Sequence, residues 1–373
     1  MRGCILAACG VAMVFAGLAT NRLGAEETRK PSDQTQRYLE KYAQFLTLIQ
    51  EAQFQFVGTR SRSTPKEGLA GRWEESGTLA TSAAEQSYHL RSVVSRVHPD
   101  HEDLGGTEDL ATPKRYLEVS TPSKERAAKG NGGYHASTLP EIRGDGWKQL
   151  ATDHSLGVLL GFAQLGDQER PVLANKSLLE ICEAAELEWL PEVQVDSKHL
   201  VGFVAKNDAL EVRVLFDPAK GDNLTELRVA LRSDKGPPKA GTMTSVSFSI
   251  LDLEFTDGKP ASIKVKVVWQ LAGGLLDLTR SGKVVAKPTQ AEFEPQTWEF
   301  NYQLAQFNYA PEAAWFTLET AIPNGTPVKV RGLPSLSVVT TRGTIGGTPY
   351  TSSRSADLEL YWKDGRLTPI PLR

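Results

Sequence analysis

The densest set of potential metal ligands in the chain is His98-Pro99-Asp100-His101-Glu102-Asp103. Imidazole and carboxylate groups together suit zinc or a harder divalent ion. His98, His101, Glu102 and Asp103 are therefore the candidate ligands. The two histidines, however, flank a proline three residues apart, and no His-Glu-x-x-His helix is present. The competing reading is a solvated acidic loop. The glycine-rich run Gly343-Thr344-Ile345-Gly346-Gly347-Thr348 lacks the Gly-Lys-Ser/Thr ending of a phosphate-binding loop and precedes no helix, so it reads as a β-turn. No Gly-x-Ser-x-Gly elbow exposes a nucleophile, and no local pattern joins a serine to a histidine and an acid. Cys182 lies on an apolar stripe and is expected as a buried thiol. Trp269, Trp298 and Trp362 stand in phase with apolar residues of strands, which points to core packing; Trp73, Trp147, Trp189 and Trp315 have no such phase. These residues call for no cofactor and name no reaction, so an enzyme is the weaker class.

Compartment is more legible. Met1-Arg2 supplies a positive charge, residues 3–19 carry none, and small residues precede Glu26-Glu27. Charge, apolar core and small-residue end make a secretory leader over residues 1–25, cut after Ala19 or Ala25. An uncleaved anchor needs about 20 mostly apolar residues, and this run is shorter and rich in Gly and Ala. A lipid-modified Cys9 is the third reading, with very little leader ahead of it. Cleavage at Ala25 removes Cys4 and Cys9, leaving Cys182 and no internal disulfide. Lys and Arg total 42 and Asp and Glu 45; losing Arg2 and Arg22 leaves 40 against 45, with no basic face for a nucleic acid. The expected location is the periplasm or outside the cell, with no stable membrane span after cleavage.

These groups must be positioned mostly by strands. Pro31-Ser32-Asp33 can cap a helix whose stripe is Tyr38, Tyr42, Phe45, Leu46 and Ile49. Strand candidates follow to about residue 150, separated by polar loops at 61–68, 98–113 and 121–133. A helical insert is expected near 154–187. It contains Leu156, Leu159, Leu160 and Ala163 at helical spacing, then a capping box at Ser177-Leu178-Leu179-Glu180. Beyond Pro191 the alternation has a period of two: Leu210 to Phe216, Val246 to Ile250, Ile263 to Trp269, Trp298 to Leu304, Leu358 to Trp362. Asp257-Gly258 and Asp364-Gly365 mark tight turns. One apolar and one polar face per strand is the habit of antiparallel sheets. The expected fold class is α+β, a large curved antiparallel sheet with helices packed on its concave face, in one domain spanning 26–373.

The order of elements, with Asp145-Gly146-Trp147, the turn Asp217-Pro218-Ala219-Lys220-Gly221 and the late run from Pro323 to Val328, resembles the outer-membrane-lipoprotein-sorting (LolA/LppX-like) superfamily over residues 33–330. More narrowly it resembles secreted proteins of planctomycete-type bacteria with this layout. The resemblance implies an unclosed β-barrel plugged by helices, a cavity for acyl chains, and a lipid or lipoprotein acyl chain as partner. It transfers no site residue. Three functions follow: an envelope protein binding a lipid or other apolar ligand between sheet and helices, a structural or interaction module with a filled core, and, with least support, a secreted metal-dependent enzyme.

Overall fold

Ser32 is extended and its side chain accepts the Thr35 N–H, so α1 (Asp33–Gln50) begins where the Pro-Ser-Asp signal places it. Its apolar stripe is the expected one, with Tyr38, Tyr42, Leu46 and Ile49 buried. The computed structural model describes residues 32–65, 68–98, 102–123, 135–138, 146–163, 165–167, 170–171, 176–232, 238–277, 290–310, 312–330, 338–345, 348–355 and 360–369. The proposed leader lies outside them. Among the described residues no helix is long and apolar enough to cross a membrane.

A first meander follows: β1 (Gln53–Thr64), β2 (Gly68–Ser82), β3 (Ser87–His98), β4 (Glu102–Thr112), β5 (Arg115–Thr121) and β6 (His135–Thr138). The middle holds α2 (Gly146–Asp153), a 3-10 turn at Ser155–Val158, the two-residue β7 (Gly166–Asp167) and β8 (Arg170–Pro171), and α3 (Leu178–Glu183). The second meander is β9 (Glu186–Val195), β10 (Lys198–Lys206), β11 (Leu210–Asp217), β12 (Asn223–Leu231), β13 (Met243–Thr256) and β14 (Lys259–Leu271). The small pair β15 (Gly274–Asp277) and β16 (Gln290–Phe293) leads to β17 (Gln296–Asn308). The remainder is β18 (Pro327–Val330), the hairpin β19 (Val338–Ile345) and β20 (Thr348–Ser355), then β21 (Leu360–Lys363) and β22 (Arg366–Pro369).

Antiparallel pairing runs β9-β10-β11-β12-β13-β14-β17-β1-β2-β3-β4-β5-β6. Twelve of these strands have seven residues or more. β18 then adds in parallel to β6, and β21 and β22 extend the edge. Among the described residues no pairing brings β9 to the opposite edge, so the barrel is unclosed. The chain is thus mostly β with few short helices, and the α+β expectation is corrected in proportion. Asp257-Gly258 and Asp364-Gly365 both have positive φ at each residue, the geometry that matches the twist of a two-residue hairpin.

The inner face and the helices share one large core. Tyr38 of α1 packs on Trp189 of β9 and Phe216 of β11, at ring separations of 5.1 and 5.0 Å. The middle segment is sequestered there: Leu156, Leu160, Leu165 and Leu178 have no exposure. The expected α-helix over Leu156–Ala163 is instead a 3-10 turn followed by irregular chain. Those leucines are buried as expected, but the helix proper ends before them at Asp153. The capping box at Ser177 and Glu180 forms in both directions, with Ser177 N donating to Glu180 Oε2 at 2.6 Å and Glu180 N to Ser177 Oγ at 3.1 Å.

Two expected loops are strands. β1 continues to Thr64, and most of 98–113 is β4. The glycines and acids of Leu104-Gly105-Gly106-Thr107-Glu108-Asp109 have poor strand propensity, but pairing on both sides decides the conformation. Gly105 sits at φ +90 beside a register shift, where a Cβ would collide with the Thr121 carbonyl oxygen. The 121–133 loop lies almost wholly outside the described residues. Gly343-Thr344-Ile345 is the end of β19, leading into a hairpin.

A second, smaller core lies on the outer face, where Leu117, Val119, Ala136, Ile322, Val328 and Trp362 meet. It is fastened by Glu108, which is 1% exposed. Its carboxylate accepts the backbone N–H of Glu319 at 2.6 Å and of Thr320 at 2.7 Å. His89 Nε2 lies 2.8 Å from the same carboxylate, and His89 Nδ1 lies 2.6 Å from the Trp315 carbonyl. Both ring nitrogens thus lie within hydrogen-bonding distance of an oxygen. Burial alone would raise the Glu108 pKa; the hydrogen bonds from His89, Thr320 and the Glu319 backbone outweigh it and hold the carboxyl at about 2.

Candidate functional site

Strand register places an unusual set of side chains on the inner face. In β1 the inward positions after Phe54 and Phe56 are Gly58, Arg60 and Arg62. Arg60 pairs with Trp73 of β2 and Phe300 of β17, while Arg62 pairs with Gly71 of β2 and Trp298 of β17. Trp269 of β14 pairs with Trp298 on its other side. Because side chains alternate across a strand, these residues share a face with the core residues Phe56 and Tyr302.

The rings and guanidinium groups form a layered patch. The Trp73 and Trp298 rings lie 5.4 Å apart at 24°. Phe300 continues the stack from Trp298 at 6.3 Å, and Trp269 leans on Phe300 at 4.8 Å. The Arg60 guanidinium sits 5.5 Å from the Trp73 ring centre and that of Arg62 5.6 Å from Trp298. Gly71 makes room for this, since a Cβ there would stand 2.5 Å from the Trp73 ring. Trp73, Trp269, Trp298, Arg60 and Arg62 are half-buried, whereas Phe300 is buried. Nε of both arginines is buried without a hydrogen-bond partner, and among the described residues neither guanidinium has an ion-pair partner. Stacked Arg side chains normally find an acceptor for their planar fork of donors.

Beneath the patch lies a buried polar network. Tyr302 donates its hydroxyl proton to Glu75 Oε2 at 2.8 Å, so the Ser155 hydroxyl, 2.9 Å away, donates to Tyr302. Leu156 N donates to His154 Nδ1 at 3.2 Å, which leaves Nε2 to face Glu75 Oε1 at 3.5 Å. Burial would raise the Glu75 pKa, but His154, Arg60 and Tyr302 together hold it at about 2. Burial and the Glu75 charge push Tyr302 well above its ordinary range. Near neutral pH neither group exchanges a proton, and Ser155 faces Tyr302 rather than His154. The network is suited to fixing the 3-10 turn against β17 and to placing one negative charge near Arg60.

Of the metal-ligand candidates, His98 ends β3 and His101 lies outside the described residues. Glu102 pairs with Arg96 at 3.2 Å, and Asp103 Oδ1 accepts the Gly105 N–H at 2.9 Å. Among the described residues no three ligand-type side chains gather around one point. Cys182 is fully buried, and desolvation followed by the Glu183 charge raises its thiol to about 12. Trp362 is in the outer core as expected, while Trp147 and Trp315, which had no assigned phase, are also buried. Trp269 and Trp298 stay partly open on the inner face. A shallow cavity of about 670 Å³ at the opposite strand ends is lined by Glu85, Gln86, Lys114 and Phe316 among others and brings no reactive group together.

The course of the chain is similar to two solved structures. One is a DUF1329 family protein from Desulfovibrio piger, with 8% identity and a TM-score of 0.37, covering 78% of this chain and 100% of that one. The other is a domain assigned to outer membrane lipoprotein sorting from Vibrio parahaemolyticus, with 8% identity and a TM-score of 0.34, covering 76% of this chain and 97% of that one. Neither likeness bears on ligand or activity. No family profile and no curated protein matches the chain.

Arg60, Arg62 and Trp73 are functional candidates that the sequence reading missed. The signal was present: the alternation of Phe54 and Phe56 continues through Gly58 to Arg60 and Arg62 at inward positions.

Proposed function

We propose that this chain is an exported envelope protein that holds an amphiphilic ligand on the inner face of its sheet. The observation that carries the reading is the strip of Trp73, Trp298 and Trp269, half-open on a face that is otherwise core. Large indole surfaces left in contact with water cost about 25 cal/mol per Å² relative to being covered. An apolar ligand tail would cover them. The space between sheet and helices is occupied by Leu156, Leu160 and Phe162, so the ligand lies on the aromatic strip rather than deep between the layers. The leader-like residues 1–25 support a site of action beyond the cytoplasmic membrane.

The test is native mass spectrometry of protein purified from an exporting host, with uptake of added lipid followed by tryptophan fluorescence. Co-purified or acquired amphiphile, with a shift in Trp emission, is the expected result. A clean apo mass and no spectral change on titration refute the reading. The filled inner core also favours a second reading, an interaction module whose loops meet a protein partner. Cross-linking in envelope extracts separates the two: a reproducible protein partner together with no lipid uptake selects the module.

A further inference from the structure

We infer that the inner-face patch selects a phosphate-headed, anionic amphiphile, with Arg60 and Arg62 as the headgroup clamp. The inference rests on the proposed ligand-binding role and adds its specificity. Two half-buried guanidinium groups carry two positive charges. Glu75, the buried carboxylate near Arg60, supplies one negative charge and is already engaged by Tyr302 and faced by His154. The site is therefore left with a net positive charge, and the buried Nε–H of each arginine lacks an acceptor among the described residues. A buried or half-buried cation without a partner is costly, and an anion of matching shape removes that cost.

The spacing narrows the chemistry. Arg60 and Arg62 are two apart on one strand, which separates their Cα atoms by about 6.6 Å with both side chains on the same face. A carboxylate is satisfied by one planar fork. A phosphate offers three or more acceptor oxygens and can take donors from two arginines at once. One face of each guanidinium is covered, that of Arg60 by Trp73 and that of Arg62 by Trp298, and the terminal edges beyond the buried Nε are left to meet a ligand. Edge-on donation to a phosphate, with indole surface alongside for the first methylenes of a tail, describes an anionic phospholipid or lysophospholipid. A zwitterionic choline headgroup would bring its own cation toward Arg60 and Arg62 and be disfavoured.

The experiment titrates the purified full chain with four probes below their micelle concentrations: dihexanoyl phosphatidic acid, dihexanoyl phosphatidylcholine, dihexanoylglycerol and inorganic phosphate. Calorimetry gives affinity and Trp emission reports the patch. Phosphatidic acid is expected to bind at least about tenfold more tightly than phosphatidylcholine or the neutral glyceride, the increment of one charge-assisted hydrogen bond. Arg60→Gln/Arg62→Gln is expected to abolish that preference while weak, headgroup-blind binding persists. Arg62→Lys tests the fork: it keeps the charge and should retain less than half of the preference in logarithmic units. Equal binding of the anionic, zwitterionic and neutral lipids, unchanged in the double glutamine variant, overturns the headgroup clamp and leaves the amphiphile reading intact. Inorganic phosphate binding as tightly as phosphatidic acid overturns the amphiphile reading and leaves an anion site. No binding of any probe refutes both. Circular dichroism and urea unfolding of each variant establish that it is folded before its affinity is read.

Discussion

Glu108 is the residue whose removal should cost most for its size. In Glu108→Ala, the backbone N–H groups of Glu319 and Thr320 and the Nε2 of His89 lose their common acceptor in a site that is 1% exposed. Each buried donor left unpaired costs about 1–3 kcal/mol. Three such donors sum to about 3–9 kcal/mol before any relief. Some of that is relieved if the 313–320 segment lifts into water, so we expect a loss of about 3–5 kcal/mol in urea unfolding and a selective loss of hydrogen-exchange protection at the Glu319 and Thr320 amides. Glu108→Gln keeps the shape but presents only one acceptor oxygen and an amino group, and should lose about 2–3 kcal/mol. The exposed Arg91–Glu319 pair beside it is the control: Arg91→Ala should change stability by less than about 1 kcal/mol. A Glu108→Ala protein that loses less than about 1 kcal/mol, with the two amides still protected, would falsify the idea that this carboxylate fastens the outer segment.

The remaining predictions concern pH, the register shift and the buried network. Glu75 and Glu108 are both held at about 2 in the folded chain, below the ordinary 4.5, so the unfolded chain takes up protons first as the solution is acidified. Their stabilisation is full above pH 4.5 and is lost between there and about 2; a urea midpoint that does not move over this window contradicts the assignment. Gly105→Ala puts a Cβ at φ +90 against the Thr121 carbonyl and should destabilise by at least about 1–3 kcal/mol, read as a lowered Tm; an unchanged Tm would mean that β4 relaxes freely there. Tyr302→Phe removes the donor to Glu75 and the acceptor for Ser155, and should cost about 1–3 kcal/mol in urea unfolding without altering the far-ultraviolet spectrum. A Tyr302→Phe protein as stable as the parent would show that the network carries no net stability.

What the sequence discloses depends on whether the information is local. The Ser32 cap, the Ser177 capping box and the Asp-Gly turns are each written in a few neighbouring residues, and all form. Period-two alternation likewise locates β11, β14 and β17, because one face of each strand is core. β4 is illegible for the opposite reason. Its glycines and acids make sense only with β3 and β5 beside it and with Glu319 and Thr320 over Glu108. The leucines of 156–163 are misleading in another way: burial is written in their hydrophobicity, but a turn inside a core needs no helical period. The patch joins Arg60, Arg62 and Trp73 of the β1–β2 hairpin to Trp298, more than two hundred residues later in sequence, and only the inward phase of the arginines hints at it. The resemblance to lipoprotein-sorting proteins implied an unclosed antiparallel sheet, which the pairing shows, but named no residue of the patch.

The pairing of β1 with β17 also sets the order in which this protein can be built. Each of the two meanders is made of hairpins whose partners are sequence neighbours and can zip up as they emerge. The seam between them is different. Gln53 must wait for Asn308, and Ser63 for Thr297, before the halves become one sheet. Closing such distant contacts is slow, because loop entropy must be overcome before any contact rewards it. Until then β1 exposes a long unpaired edge, the kind of surface that recruits other chains. Arg60, Arg62, Trp73, Trp269 and Trp298 sit along that seam or one strand from it, so the patch is assembled only when the seam closes. If the proposed ligand is held there, a half-folded chain lacks the site for it, and binding would report that the two meanders have joined.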